Sequence, residues 1–458
     1  MLEQVFGYIE GERGRMVEEL KGFLRWASVS AQGAHGEDVR GCAGWLRDHL
    51  AGLGLAAELV ETAGQPIVRA QGGKTGGKRV IVYGHYDVQP EDPRGEWLTE
   101  PFEPVERAGY LYGRGTTDDK GQLWAHVKGV EAVLRQAGEL GVEVVFLVEG
   151  EEECGGSGLE DYVVANAGAL REGLVGCVVS DTSMYGPGRP AVTYGLRGTA
   201  GLEVRVHGPG RDLHSGQYGG AVGNPVQALA WMLGECVGRD GVVEVPGFYE
   251  GVGEMAMWER ENIERLGYDE AALAAEAGVA ALWGEQGRGA LERMWARPTF
   301  EVNGIYGGYT GEGGKTIIPS SATAKLSMRL VPGQAWRQVV EATVSHLERL
   351  CPEFARLEVL GSGGADPVLM DVDSELMRAG LRALEAGFGV EPELIRCGGS
   401  IPVVSVLERE LGAPVLLMGL GLDSDGAHSP NERFAVEHMV KGAKASAALL
   451  MQLGESQA

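Results

Sequence analysis

Histidine and carboxylate side chains stand directly after the apolar runs of this sequence. They are His85 with Asp87, Asp118 with Asp119, the acidic segment Glu149–Glu153, Asp181 and His428. The apolar runs predict buried strands, and an open α/β sheet places its site beyond the carboxyl ends of its strands. Imidazole and carboxylate groups gathered at such an edge are ligands for divalent cations. The pattern therefore indicates a centre of two metal ions that supports hydrolysis.

Each of these residues also has an ordinary structural interpretation. His85 could be a satisfied structural histidine, and Asp118 could cap the helix that follows it. If His85 is a metal ligand, Asp87 could hold its second ring nitrogen and fix its tautomer. The segment Glu149–Glu153 is harder to explain as a solvated turn, because four carboxylates in five residues repel one another beside an apolar strand. A pair of divalent cations would offset that repulsion.

Size and composition set limits on the class of protein. The chain has 458 residues, which predicts two or three domain-sized units. Its net charge of −25 argues against nucleic acids and anionic membranes as partners. Met1–Met16 lacks the basic and apolar regions of a secretory signal, and Gly412–Leu422 is too short to span a bilayer. The six scattered cysteines favour reduced thiols, so we expect a cytoplasmic protein.

The apolar pattern changes twice along the chain. Near both ends, continuous apolar runs such as Val142–Val148 alternate with helical stretches, as in a sheet covered on both faces. In the middle, Gly201–Val206 alternates apolar and polar residues, which indicates an antiparallel sheet with one solvated face. We therefore predict an α/β catalytic domain formed by residues 1–196 and 366–458, interrupted by an inserted α+β domain at 197–365.

Longer motifs resemble a known family over nearly the whole chain. The sequence is similar to the carnosinase-type two-metal dipeptidases within the aminoacylase, acetylornithine deacetylase and succinyl-diaminopimelate desuccinylase family of metallopeptidases. The matching stretches are Gly84–Pro90, Gly113–Gly121, Glu149–Glu153, Tyr194–Gly198, Asp212–Gly216, Lys315–Pro319, Arg329–Pro332, Gly398–Pro402 and Gly426–Ser429. The resemblance implies a phosphorylase/hydrolase-like catalytic domain with a mostly parallel sheet. It also implies that the inserted domain is ferredoxin-like and serves as a lid and for dimerisation.

The resemblance implies a complete set of metal ligands. One ion would be held by His85 and Asp181, the second by Glu153 and His428, and Asp118 would bridge them. The peptide bond after the bridging aspartate is expected to be cis. Nitrogen and oxygen ligands suit zinc, while the share of carboxylates also allows manganese or cobalt.

Catalytic roles carry over in the same way. Glu152 matches the general base, and Asp87 matches the residue that orients His85. His214 matches a histidine that stabilises the oxyanion from the partner subunit, so the resemblance implies a homodimer with His214 acting across the interface.

The substrate's terminal carboxylate has its own expected binding residues. Arg329 and Thr316 match the family's carboxylate-binding positions, and a guanidinium suits that role. Gly399 and Ser400 could add backbone N–H groups at a helix start.

Three functions remain open from the sequence. The first is a metal-dependent dipeptidase acting on short peptides with a free C-terminus. The second is an N-acyl-amino-acid amidohydrolase with the same metal site, and the third is a non-catalytic metal-binding scaffold. Cys154 stands where relatives commonly have serine, and Gly155–Gly156 carries an extra glycine, which bears on substrate preference.

Overall fold

A computed structural model describes residues 1–455 of the chain. These residues form two compact units. The first unit combines Met1–Tyr194, Met370–Ile395 and the chain from Val406 onward. The second unit is Gly195–Leu369 together with the short segment Arg396–Ser405.

A mixed sheet forms the centre of the first unit. Its strands lie in the order Ala56–Val60, Ile67–Gly72, Glu143–Glu149, Arg79–His85, Leu174–Val179, Val415–Gly419 and Ala191–Leu196. The four strands from Glu143–Glu149 to Val415–Gly419 are parallel, and those outside them pair antiparallel. The short strands Val368–Leu369 and Glu393–Cys397 pair with Ala191–Leu196.

The prediction of a mostly parallel sheet is therefore corrected: parallel pairing is confined to the centre. Ala56–Val60 reaches its neighbour Ile67–Gly72 through a short connection. A connection of that length cannot hold the crossover that a parallel pair needs, so the pair is antiparallel. The central strands are buried along almost their whole length, as their apolar sequences predict.

Helices cover the sheet of the first unit. They are Leu2–Gly11, Arg13–Leu24, Gly36–Gly52, Lys120–Ala137, Gly158–Arg171, Glu375–Phe388 and Val436–Glu455. Helix Pro402–Leu411 begins in the segment assigned to the second unit and ends in the first. Lys120–Ala137 is buried on all sides through most of its length, and it packs against Val436–Glu455. A small separate sheet is formed by Val105–Arg107, Tyr110–Tyr112 and Arg433–Ala435.

No helix within residues 1–455 combines the length and the apolar content that crossing a membrane requires.

The second unit is built on a four-stranded antiparallel sheet. The order is Thr299–Gly307, Ser321–Leu330, Gly198–His207 and Arg356–Ala365. Helices Pro225–Gly234 and Trp336–Leu350 pack on this sheet. Gly198–His207 alternates buried and half-buried residues, as its sequence predicts. The chain order is that of a βαββαβ, ferredoxin-like unit.

Smaller elements complete the second unit. Its other helices are Ser215–Tyr218, Met257–Leu266, Glu270–Glu276 and Ala290–Ala296. Leu213–His214 and Ile317–Ile318 form a short antiparallel ladder of their own.

The boundaries of the second unit differ from the predicted 197–365. Its two chain ends lie side by side, because Gly195 pairs with Leu369 and Leu196 with Val368. Residues 396–405, predicted within the catalytic part 366–458, also belong to this unit. Arg197 Nε donates to the Gly398 carbonyl at 2.9 Å and binds this returning segment to the unit, a contact between residues 201 positions apart that no local sequence pattern reveals.

Candidate metal centre

The predicted ligands are carried by the parallel strands and their neighbours. His85 ends strand Arg79–His85, and Asp181 follows strand Leu174–Val179. The loops after strands Glu143–Glu149 and Val415–Gly419 carry the ligands Glu153 and His428, while Asp118 precedes helix Lys120–Ala137. Parallel strands bring their carboxyl ends to one edge, so residues that are distant in sequence meet there.

Five side chains form two overlapping groups of possible ligands. Atoms of His85, Asp118 and Asp181 lie within 4.8 Å of one another, and so do atoms of Asp118, Glu153 and His428. One Asp118 oxygen, Oδ1, is 3.1 Å from His85 Nε2, and the other, Oδ2, is 2.9 Å from His428 Nε2. These are the two ligand sets that the resemblance implied, and the structure brings them together through Asp118.

The backbone of the site has two unusual features. The Asp118–Asp119 peptide bond is cis, as the resemblance implied. His428 has a φ of 60°, a conformation that non-glycine residues rarely adopt and that clusters at functional sites. Asp118 does not cap the following helix, because Asp119 takes the N-cap position and no side chain accepts a capping hydrogen bond.

Burial and unpaired oxygens indicate that this edge is suited to cations. Glu153 Oε1 is buried and has no hydrogen-bond partner among the described residues. Burial, with the added charge of Asp118, raises the pKa of Asp181 well above its ordinary value. The protein alone therefore disfavours the charged form of this carboxylate. A divalent cation would reverse that preference, so the donor set fits a metal.

A third cluster of histidine and carboxylate side chains surrounds a lysine of the chain. Glu19, His49 and Glu131 also lie close enough to share an ion. The Lys128 ammonium lies 2.5 Å from Glu19 Oε2, 2.7 Å from Glu131 Oε2 and 3.1 Å from His49 Nε2. Arg15 also lies 2.7 Å from Glu19 Oε1 and 2.5 Å from Glu131 Oε1. Because two cations of the chain already neutralise the two carboxylates, the cluster is a buried ion pair network and not a candidate metal site.

His85 is oriented by the segment that contains Asp87. His85 Nδ1 lies 3.1 Å from the Asp87 carbonyl oxygen and 3.4 Å from its Oδ1, so the ring donates mainly to the backbone. This leaves Nε2 facing Asp118. The Asp87 carboxylate instead accepts hydrogen bonds from Ser30 Oγ at 2.6 Å and from the Glu153 backbone N–H at 3.1 Å. Asp87 therefore connects the two ligand groups, and Ser30 is a supporting residue that the sequence did not indicate.

Glu152 lies between its acidic neighbours on the short helical turn Glu152–Cys154. Burial raises its pKa, and the charges of Glu153 and Asp118 raise it further, while His85 opposes them. It belongs to neither of the two ligand groups.

Glu432 is a site residue that the sequence analysis missed. Its Oε1 accepts hydrogen bonds from the backbone N–H groups of Thr117 at 2.8 Å and Asp118 at 3.1 Å. Its Oε2 accepts from Gly115 N at 2.8 Å and Arg114 Nη1 at 2.9 Å. The side chain is fully buried and holds the loop that carries the shared aspartate. Glu432 follows the predicted ligand His428 by four residues, which could have marked it as a site residue. In the sequence, however, it looks like an ordinary surface glutamate.

Replacing Glu432 by glutamine should weaken metal binding about 10- to 100-fold, the usual cost of losing support behind a ligand. The amide presents an NH₂ group to donors that need an acceptor, so the Asp118 loop loses part of its anchor. Competition with a chelating dye measures the affinity. Glu437→Gln is a matched control, because Glu437 pairs with Lys441 on the surface. Equal affinities in the two variants would remove Glu432 from this role.

The predicted residues of the second unit lie on two different sheets. His214 belongs to the short ladder, Thr316 directly precedes its second strand, and both are exposed. The Thr316 carbonyl accepts from Ser215 N at 3.0 Å. Arg329 lies in the four-stranded sheet, and its Nη1 donates to Ser400 Oγ at 3.1 Å. The Gly399 N–H already donates to Cys397 Sγ at 3.3 Å, so the prediction that this group is offered to substrate is not supported by the geometry.

Comparison with known proteins places the chain in a family. The model of Peptidase family M20/M25/M40 matches residues 81–452. A Cys-Gly metallodipeptidase of Candida albicans is 31% identical over 479 residues, which cover 99% of this chain and 98% of the relative. Human carnosine dipeptidase 1 has a TM-score of 0.83 and 30% identity, with 99% of each chain covered.

Another similar solved structure is named for a different activity in the same family. An M20 family metallo-carboxypeptidase from Sulfolobus solfataricus has a TM-score of 0.85 and 31% identity, covering 96% of this chain and 99% of that one. The resemblance inferred from the motifs is confirmed. The chain is therefore a metallopeptidase, and it belongs to peptidase family M20/M25/M40.

Proposed function

We propose that this metallopeptidase is a dipeptidase that hydrolyses short peptides with a free C-terminal carboxylate at a centre of two divalent ions. The observation that carries the proposal is the pair of ligand groups that share Asp118, with Glu152 beside them. The names of the Candida albicans and human relatives, both dipeptidases, support the same substrate class.

His85, Asp181 and Asp118 would hold one ion, and Glu153, His428 and Asp118 the other. This mixture of imidazole and carboxylate suits zinc, with manganese or cobalt as alternatives. Bound there, two divalent ions would lower the pKa of water and polarise the scissile carbonyl.

Residues of the chain transfer the proton of the attacking water and stabilise the negative charge of the intermediate. Glu152 takes a proton from the attacking water and delivers it to the leaving amine as the peptide C–N bond breaks. Asp87 keeps the His85 ring oriented through its backbone carbonyl. His214 donates a hydrogen bond to the oxyanion of the tetrahedral intermediate.

The C-terminal carboxylate of the substrate is bound by Arg329, with Thr316 and Ser400 as further hydrogen-bonding groups. Arg329 has a guanidinium suited to a carboxylate, and Ser400 already fixes one of its nitrogens at 3.1 Å. This anchor explains a preference for short peptides over the interior of long chains.

We also propose that the second unit serves as a lid and forms a homodimer, with His214 acting across the interface. Strand Thr299–Gly307 is an edge of its sheet. On this strand Val302, Ile305 and Tyr306 are 46%, 50% and 49% exposed. An unpaired edge that exposes apolar side chains is typical of a surface that pairs with another chain.

Mixing two inactive variants tests the shared site. Glu152→Gln and His214→Ala subunits should recover about a quarter of wild-type activity after random exchange, because half of the dimers are mixed and each contains one intact site. The rate of dipeptide hydrolysis measures recovery, and native mass spectrometry verifies exchange. If mixed dimers form and stay inactive, His214 acts within its own subunit.

A substrate panel tests the function itself. Unblocked dipeptides should be hydrolysed with added Zn²⁺, Mn²⁺ or Co²⁺, and activity should disappear on chelation and return with metal. N-acetyl and N-succinyl amino acids test the amidohydrolase alternative, and tetrapeptides test the carboxypeptidase activity named for the Sulfolobus relative. Turnover of the acylated substrates alone would overturn the proposal, and metal binding without any turnover would favour a scaffold.

A further inference from the structure

A cavity of about 370 Å³ lies within the second unit. Arg197 and Arg329 line part of it, and Met294, Phe300 and Trp283 contribute apolar surface. Its volume falls within the range of small-molecule sites, about 300–1,000 Å³. We propose that this cavity receives the C-terminal residue of the substrate, that its side chain there is large and apolar, and that Arg197 shares its carboxylate with Arg329. The inference rests on the proposed function, in which Arg329 is the carboxylate anchor.

Strand register brings the two arginines to one end of the sheet. Arg329 pairs with Thr199, and Arg197 lies two residues before Thr199 on the same chain segment. On its other side, Arg329 pairs with Thr299, which also lines the cavity. The cationic end of the cavity is therefore fixed by the sheet and not by a loose loop.

The guanidinium of Arg197 is held but not neutralised. Its Nε donates to the Gly398 carbonyl, while its Nη1 is buried without a hydrogen-bond partner among the described residues. Burial, with the like charge of Arg329, lowers the pKa of Arg197 to about 10. Two close guanidinium groups, one with an unpaired buried nitrogen, provide the donors that one carboxylate can accept.

Another arginine of the cavity wall is already paired. Arg297 Nε is 2.6 Å from Glu285 Oε2, and its Nη2 is 2.9 Å from Glu285 Oε1. This forked ion pair leaves no net charge at that place. Arg293 and Glu301 also line the cavity, so the place of the anion beside Arg197 and Arg329 follows from the role proposed for Arg329 and from the unpaired Nη1 of Arg197.

The apolar wall determines which side chain fits. Phe300 is 7% exposed and fixed by the core of the unit, whereas Met294 and Trp283 are 37% and 66% exposed. A rigid apolar floor with movable neighbours accommodates a large hydrophobic group. A lysine side chain would add a cation to a wall on which Arg197, Arg293 and Arg329 already outnumber Glu301.

The first experiment uses the wild-type enzyme on alanyl-glycine, alanyl-alanine, alanyl-leucine, alanyl-phenylalanine and alanyl-lysine. We expect kcat/KM to be at least about tenfold higher for the leucine and phenylalanine substrates than for alanyl-glycine. Alanyl-lysine should be the poorest. Hydrolysis with a flat profile would overturn the cavity assignment but keep the dipeptidase function. No hydrolysis of any of these dipeptides would overturn both.

The second experiment fills the cavity. Met294→Trp should lower kcat/KM for alanyl-phenylalanine at least about tenfold more than for alanyl-glycine. Met257→Trp is the matched control, because Met257 is 76% exposed in the same unit and does not line the cavity. Equal losses for the two substrates would assign the effect to folding and count against the proposal.

The third experiment examines Arg197. Arg197→Met should raise KM for alanyl-phenylalanine at least about tenfold, and Arg197→Lys should restore part of that loss. The C-terminal amide of the same dipeptide lacks the carboxylate. Its KM should therefore rise much less in Arg197→Met than the KM of the free acid. If KM rises equally for the acid and the amide, or if the variant loses bound metal, Arg197 has only a structural role.

Discussion

Replacing Glu152 by glutamine is expected to lower kcat about 10²- to 10⁴-fold, the usual contribution of a positioned general base. Glutamine has nearly the same shape but cannot accept a proton. Glu152 lies outside both ligand groups, so the metal content of the protein should not change. Stopped assays with a dipeptide measure the rate, and plasma emission spectrometry measures the bound metal.

Glu151→Gln provides the control for this variant, since Glu151 lies on the same turn and also belongs to neither ligand group. Its activity should stay close to that of the wild type. Full activity in Glu152→Gln would assign the proton transfer to another group. A loss of metal in Glu152→Gln would make it a ligand and not a base.

Replacing Asp118 by asparagine should remove most of the bound metal from both positions, and with it nearly all activity. The reason is geometric: one carboxylate oxygen faces His85 and the other faces His428. An amide cannot offer two anionic oxygens, so both groups lose a shared ligand. Metal content after dialysis, compared with wild type, is the measurement.

Single-group variants give the comparison. Asp181→Asn and His428→Gln each alter one group, so each should keep more metal than Asp118→Asn. Asp423→Asn is the neutral control, because Asp423 is exposed and lies in the loop before His428. If Asp118→Asn retained the metal content of the single-group variants, Asp118 would not serve both groups.

The site was predictable from the sequence where it depends on strand ends. His85, Asp181 and the acidic segment follow strongly apolar runs, and such runs form buried parallel strands whose ends share one edge. The ligand geometry follows from topology, so local patterns are sufficient to find candidates. Their assignment as ligands stays a prediction until metal binding is measured.

Residues that support the site through hydrogen bonds to the candidate ligands and their neighbours could not be predicted in this way. Glu432 supports Asp118 from 314 positions away, and Ser30 binds Asp87 from 57 positions away. Neither has a spacing that distinguishes it from a surface residue. The mixed sheet was missed for a related reason, because apolar content shows that a strand is buried but not which direction its neighbour runs.

The two chain ends of the second unit lie side by side, and this separates substrate selection from the metal site in the sequence. Gly195 and Leu369 are paired, so everything between them leaves and rejoins the chain at one place. The strands that carry the candidate ligands all lie outside residues 195–369. Evolution, or an engineer, can thus exchange the inserted segment and alter which peptides are hydrolysed while the candidate metal ligands and Glu152 are inherited unchanged, provided that the new segment supplies the roles proposed for His214 and Arg329.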